Sequence, residues 1–225
     1  MNQDLKERID AVQARIEAAC RRAGRDPSAV RLVAVTKTVP LESVKSGLEA
    51  GLTILGENYV QEAQLKIEAL GSRASWHFIG RLQTNKAKYA VRLFDLIHSV
   101  DDLKLARELD KRAGALGRRQ PVLVQVNLSG EETKGGAAEE EAAGLIEQVG
   151  ALPQLELQGL MTMPPFFDQP ERSRPYFAAL RRLRDRMAPA LPELSMGMSG
   201  DFEVAVEEGA TLVRVGTAIF GPRDP

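Results

Sequence analysis

Eight short apolar runs alternate with amphipathic segments along this chain, and no other feature restricts its fold as much. The runs are RLVAVTK (31–37), LTILGEN (52–58), SWHFIG (75–80), LFDLIHSV (93–100), PVLVQVN (121–127), LELQGLM (155–161), LSMGM (194–198) and TLVRVGT (211–217). Between them the patterning predicts helices near 41–50, 58–70, 84–91, 101–115, 137–150, 171–187 and 200–209. Strands that alternate with helices pair in parallel through right-handed crossovers. Nearly continuous apolar strands fit a sheet buried on both faces. An open doubly wound sheet and a closed (β/α)8 barrel both satisfy the pattern. The eightfold count favours the barrel, which leaves no edge. At 225 residues the connections must be lean, and no linker or composition shift divides the chain. The expectation is one α/β domain over residues 1–225, a TIM-type barrel with an extra N-terminal helix.

That helix is expected from Leu5, Ile9, Val12 and Ile16, which share one face at helical spacing, and it closes at Gly24 and Asp26-Pro27. Asp4, Glu7, Asp10 and Glu17 argue against an organelle transit peptide, and the segment lacks the apolar centre of a secretory signal. No apolar run has bilayer-spanning length. The formal charge of −1 gives no global field for nucleic acid or an anionic membrane. The single cysteine, Cys20, cannot form an internal disulfide, so a reducing, cytoplasmic location is expected.

In such barrels function gathers at the C-terminal ends of the strands. The residues found there include Lys37, Asn58, His77, Gly80, Ser99, Asn127, Ser199 and Arg214 to Thr217. Alternation puts Lys37 in phase with Val33 and Val35, toward the barrel axis. The plain alternative is that Lys37 has left the strand and lies in solvent. Burial and neighbouring positive charge lower a lysine's pKa and free its amine to condense with a carbonyl. The loops after the last two runs carry Ser199-Gly200 and Gly216-Thr217. Loops in these positions often hold phosphate. Ser199 is expected at a helix N-cap, with Asp201 and Glu203 in the first turn; a capped helix with no ligand is the simpler reading. An amine and a phosphate cradle on one rim suggest a phosphorylated aldehyde or ketone, either pyridoxal phosphate (PLP) or a sugar phosphate.

At this point a family resemblance enters. AVTKTVP, GENYVQEAQLK, WHFIGRLQTNKAK, VNLSGEETKGG, GLMTMPP and LSMGMSGDFEVAVEEGATLVRVGTAIFG together resemble the pyridoxal phosphate homeostasis proteins, relatives of the barrel domain of bacterial alanine racemase. The matches run in order from about residue 31 to the C-terminus. The resemblance implies a PLP-bound barrel with Lys37 as the Schiff-base lysine and Asn58 flanking the cofactor. It further implies phosphate contacts from Ser199, Gly216 and Thr217, and Arg214 facing the pyridine nitrogen. It implies a carrier and buffer of reactive PLP, linked to amino acid metabolism, without robust turnover. Arg214, in phase with Leu212 and Gly216, is expected to point inward. Because an arginine cannot give up its proton, it leaves the pyridine nitrogen unprotonated and a carbanion poorly stabilised.

Rival functions are an amino acid racemase using the same lysine, a Schiff-base aldolase of sugar phosphates, and a scaffold whose partners matter more than its ligand. Two-base racemisation needs a second acid/base. Alanine racemase draws that tyrosine from another domain, for which FGPRDP leaves no room, and Tyr59, Tyr89 and Tyr176 are no evident substitutes. His77 and His98 lack metal-ligand spacing, and a packing role is expected for His77. The loop 129–136 reads as a solvated rim, with gating or partner contact as the alternative, and the arginines of 172–186 read as a solvated face. Expected partners are PLP and, transiently, PLP-dependent apoenzymes, with no nucleic acid or membrane and a monomeric state.

Overall fold

A computed structural model describes residues 3–131 and 135–222. Eight parallel strands form its centre: β1 (Arg31–Val35), β2 (Ile54–Glu57), β3 (Ser75–Phe78), β4 (Leu96–Val100), β5 (Gln120–Asn127), β6 (Leu155–Met161), β7 (Glu193–Ser195) and β8 (Leu212–Val215). They pair in the order β4-β3-β2-β1-β8-β7-β6-β5, and a β4–β5 pairing closes the cylinder. This is the closed barrel expected from the eight runs. A two-residue extension, Ala137–Ala138, pairs with the end of β5.

The helices follow the strands: α2 (Leu41–Glu49), α3 (Val60–Leu70), α4 (Ala87–Leu93), α5 (Leu103–Ala115), α6 (Glu139–Gly150), α7 (Arg174–Met187), α8 (Phe202–Glu207) and the single turn α9 (Thr217–Phe220). Helix α1 (Gln3–Arg22) precedes the barrel and buries Leu5, Ile9, Val12, Ile16, Ala19 and Cys20. It packs on α8 and α9, and Arg15 bridges to Glu203 at 2.8 Å. The expected helix near 84–91 is a 3-10 turn (Thr84–Lys86) that leads into α4, and that near 171–187 begins with another (Pro170–Ser173). Helix α9 was not anticipated; one turn is too short to show a period of 3.6 residues.

Strand alternation divides the core. Val33, Leu96, Leu123, Met161 and Leu212 fill the barrel interior with Ile54 and Met163, while Ala34, Leu55, Ile97, Val122 and Val213 face the helices. One inward step beyond Leu96 lies His98, and one beyond Leu212 lies Arg214. The interior therefore turns polar toward the C-terminal mouth.

Candidate functional site

All six residues singled out by sequence, Lys37, Asn58, Ser199, Arg214, Gly216 and Thr217, line one cavity of about 310 Å³ at that mouth. Ligand pockets of this kind range from about 300 to 1,000 Å³. The remaining wall is mostly apolar, with Val35, Ile79, Met163, Phe166, Phe167 and Met198. Ile79, Phe166, Phe167 and Met198 escaped the sequence reading because they lie outside the strands, where no periodicity marks which side chains face a cavity.

Lys37 does not end a strand. β1 stops at Val35, and Lys37 sits half-buried in the turn that follows. The phase still holds, because Val33 lies inside the barrel and both Val35 and Lys37 line the cavity. Asn58 is fixed by a close approach. A Cβ on Gly80 would lie 2.5 Å from the Asn58 carbonyl oxygen, so only glycine lets the β3 loop pass there.

Arg214 is 3% exposed, and among the described residues no carboxylate pairs with it. Its guanidinium donates to Ser195 Oγ at 2.5 Å and to the Thr162 carbonyl at 2.9 Å. Burial lowers its pKa to about 10, where it remains a cation at neutral pH. Behind it runs a buried chain: Ser195 Oγ lies 2.8 Å from His98 Nδ1, and His98 Nε2 lies 3.0 Å from His77 Nδ1. An arginine only donates. The chain is fully satisfied when the Ser195 hydroxyl donates to His98 Nδ1 and His98 donates from Nε2 to His77. Both imidazoles are then neutral. Burial agrees, lowering His77 to about 4 and His98 well below its ordinary value, with the neighbouring cations adding to the effect. His77 is packed and bonded as expected, but Ser195 and His98 were not assigned to this site. A contact between β3, β4, β7 and β8 has no sequence signal.

The loops after β7 and β8 meet directly, with Gly216 N–H donating to Ser199 Oγ at 3.3 Å. Ser199 is not the helix N-cap that was expected. A turn at 199–201 delays α8, and Asp201 takes the cap position. The Asp201 carboxylate is occupied by Met198 N–H at 2.8 Å and Ser173 Oγ at 2.9 Å. Gly197 makes the loop possible: its φ is +91°, and a Cβ there would lie 2.5 Å from that of Ala205.

No tyrosine, histidine or cysteine among the described residues lines the cavity; its titratable side chains are Lys37, Asp201 and Arg214. Tyr59 and Tyr89 are exposed, and Tyr176 stacks on Phe167. The arginines of α7 are more than a solvated face. Arg174 pairs with Glu171, Glu207 and Glu208, and Arg181 with Glu208, tying α7 to α8. Of the loop 129–136, residues 132–134 lie outside the described residues, so its gating or contact role is not assigned.

The chain resembles known proteins over nearly its whole length. Residues 8–224 match the family described as alanine racemase, N-terminal domain. A pyridoxal phosphate homeostasis protein of Aquifex aeolicus is 51% identical over 222 residues, covering 96% of this chain and 97% of that one. PipY of Synechococcus elongatus, solved with PLP bound, superposes with a TM-score of 0.84 at 37% identity, covering 96% of this chain and all of that one. An alanine racemase of Clostridium difficile shares only the fold, at 16% identity and a TM-score of 0.73, and this chain covers 58% of it.

Proposed function

The chain belongs to the alanine racemase N-terminal domain family, among its pyridoxal phosphate homeostasis proteins, and from that premise we propose that it is a PLP carrier and buffer in the cytoplasm. It acts as one cofactor-binding domain and a monomer, hands PLP transiently to apoenzymes, and catalyses little or nothing itself. The observation that carries this reading is the cavity's pairing of an amine, Lys37, with a buried cation, Arg214, that lacks a carboxylate partner.

The residues fit the cofactor. A buried charge with no carboxylate in pairing distance is costly, and the lone pair of a pyridine nitrogen would give the guanidinium a further acceptor beside Ser195 Oγ and the Thr162 carbonyl. Ser199, Gly216 and Thr217 would offer hydroxyl and backbone donors to a phosphate, and Asn58 and the apolar wall would flank and cover the ring. Bound PLP supplies an aldehyde that condenses with amines, and Lys37 is the amine in reach. The Ser195–His98–His77 chain keeps Arg214 turned to the cavity as a pure donor. Among the described residues the one carboxylate that lines the cavity, Asp201, already accepts from Met198 N–H and Ser173 Oγ. This favours carriage over two-base racemisation.

The test is a visible absorption spectrum of the cofactor-loaded protein, followed by borohydride reduction and peptide mapping. One adduct on Lys37 is expected, with negligible α-deuterium exchange from amino acids. An adduct elsewhere overturns the site, and exchange at enzyme-like rates that Lys37→Ala abolishes overturns the carrier reading.

A further inference from the structure

Behind Lys37, on the helix side of the sheet, lies an ionic cluster that the cavity chemistry does not use. Lys66, on α3, is 6% exposed. Its Nζ donates to the Thr36 carbonyl at 2.5 Å, to Glu57 Oε1 at 2.7 Å and to Glu62 Oε1 at 2.7 Å. An ammonium has three donors, and all three are taken. Glu57, at the end of β2, is fully buried and also accepts from the Thr36 hydroxyl at 2.6 Å. Glu62 accepts from the Thr38 N–H at 2.6 Å. The cluster thus grips the main chain on both sides of Lys37. Thr36 is held further by its N–H to Gly56 O at 2.9 Å, and its carbonyl also accepts from Val39 N–H at 3.0 Å.

The segment held this way is strained. Thr38 has φ +59° and is the only non-glycine residue in the left-handed region among those described. A β-branched residue avoids that region unless its surroundings impose it. Burying the Glu57 and Lys66 charges, with Glu62 part-buried beside them, is also costly where packing alone would serve. Both costs fall on the turn that carries Lys37.

We propose that Glu57, Lys66 and Glu62 form a clamp that imposes the left-handed turn at Thr38 and so holds Lys37 poised toward the cavity. These are positioning residues acting through the main chain, and the proposal rests on the reading of Lys37 as the cofactor's amine. Released from the clamp, a threonine leaves the left-handed region in most chains. The poised fraction then falls by a factor on the order of 10, and apparent affinity falls with it. Glycine adopts the same φ without penalty.

The experiment compares wild type, Glu62→Ala, Glu62→Gln and Glu62→Ala/Thr38→Gly. It reads PLP affinity per folded molecule, melting temperature, and hydrogen exchange at the Thr38 amide of the cofactor-free protein. Glu62→Ala should bind PLP about 10-fold more weakly and expose the Thr38 amide. Glu62→Gln, which keeps an acceptor, should lose less. The double variant should recover to within about 3-fold of wild type although its amide stays unprotected, because glycine holds the turn unaided. A merely structural cluster would lower the melting temperature and leave affinity per folded molecule unchanged. That result, or a double variant that fails to recover affinity, would overturn the clamp. A wild-type chain that takes no PLP would sink the functional reading and the positioning role with it, while Thr38 exchange would still report on the clamp itself.

Discussion

Ser195 illustrates how much one side chain carries inside a closed barrel. It accepts from Arg214 and stands against His98, so Ser195→Ala strands a guanidinium N–H and an imidazole nitrogen together. The expected cost is about 2 kcal/mol, a fall in melting temperature of roughly 4–8 °C. A scan showing no shift would mean the chain of bonds is not formed. The neutral histidines behind it make stability depend on pH. The His77 pKa is lowered by burial from 6.5 to about 4, so the unfolded chain takes up the proton first as pH falls. Its contribution is complete above about pH 6.5 and drains away toward pH 4. Burial raises Glu57 and Asp101, which act in the opposite sense. The imidazole share is therefore read by difference: His77→Gln should flatten the fall in urea midpoint between about pH 7 and pH 5.

Among the elements, α1 was the most legible and is also the most testable. Its apolar stripe predicted burial, and the structure seats that stripe on α8 and α9. Ile9 is 1% exposed, so Ile9→Ala should cost about 2–4 kcal/mol, measured by urea denaturation. A loss below about 1 kcal/mol would show a helix that frays away from the barrel. The helices after β3 and β6 were less legible, because each opens with a 3-10 turn whose spacing blurs the period. The end of β1 was misplaced for a different reason. Thr36 and Lys37 continue the strand's alternation, yet hydrogen bonds from α3 and β2 bend the chain out of the ladder there.

At the scale of the whole molecule, closure of the cylinder links the ends of distant strands, so a ligand at the mouth stabilises the entire fold. PLP at about 100 times its dissociation constant should add about 2.7 kcal/mol, raising the melting temperature by roughly 5–11 °C. Lys37→Ala should lose most of that shift while melting near the wild-type temperature without cofactor. A variant that keeps the full shift would place the attachment elsewhere.

The alternation of apolar runs was enough to determine a parallel α/β sheet covered on both faces, because such strands have few other ways to hide their backbone, and the count of eight favoured closure into a barrel. The phases of Val33, Val35 and Lys37, and of Leu212 and Arg214, also placed two side chains at the mouth, since alternation is a local property of the backbone. The tertiary structure alone decided what stands behind them. Ser195, His98 and His77 reach Arg214 from three other strands, and Glu57, Glu62 and Lys66 reach the lysine turn from β2 and α3. These are contacts between polar groups far apart in the chain, and their partners are chosen by strand order and helix packing, which local patterning does not encode.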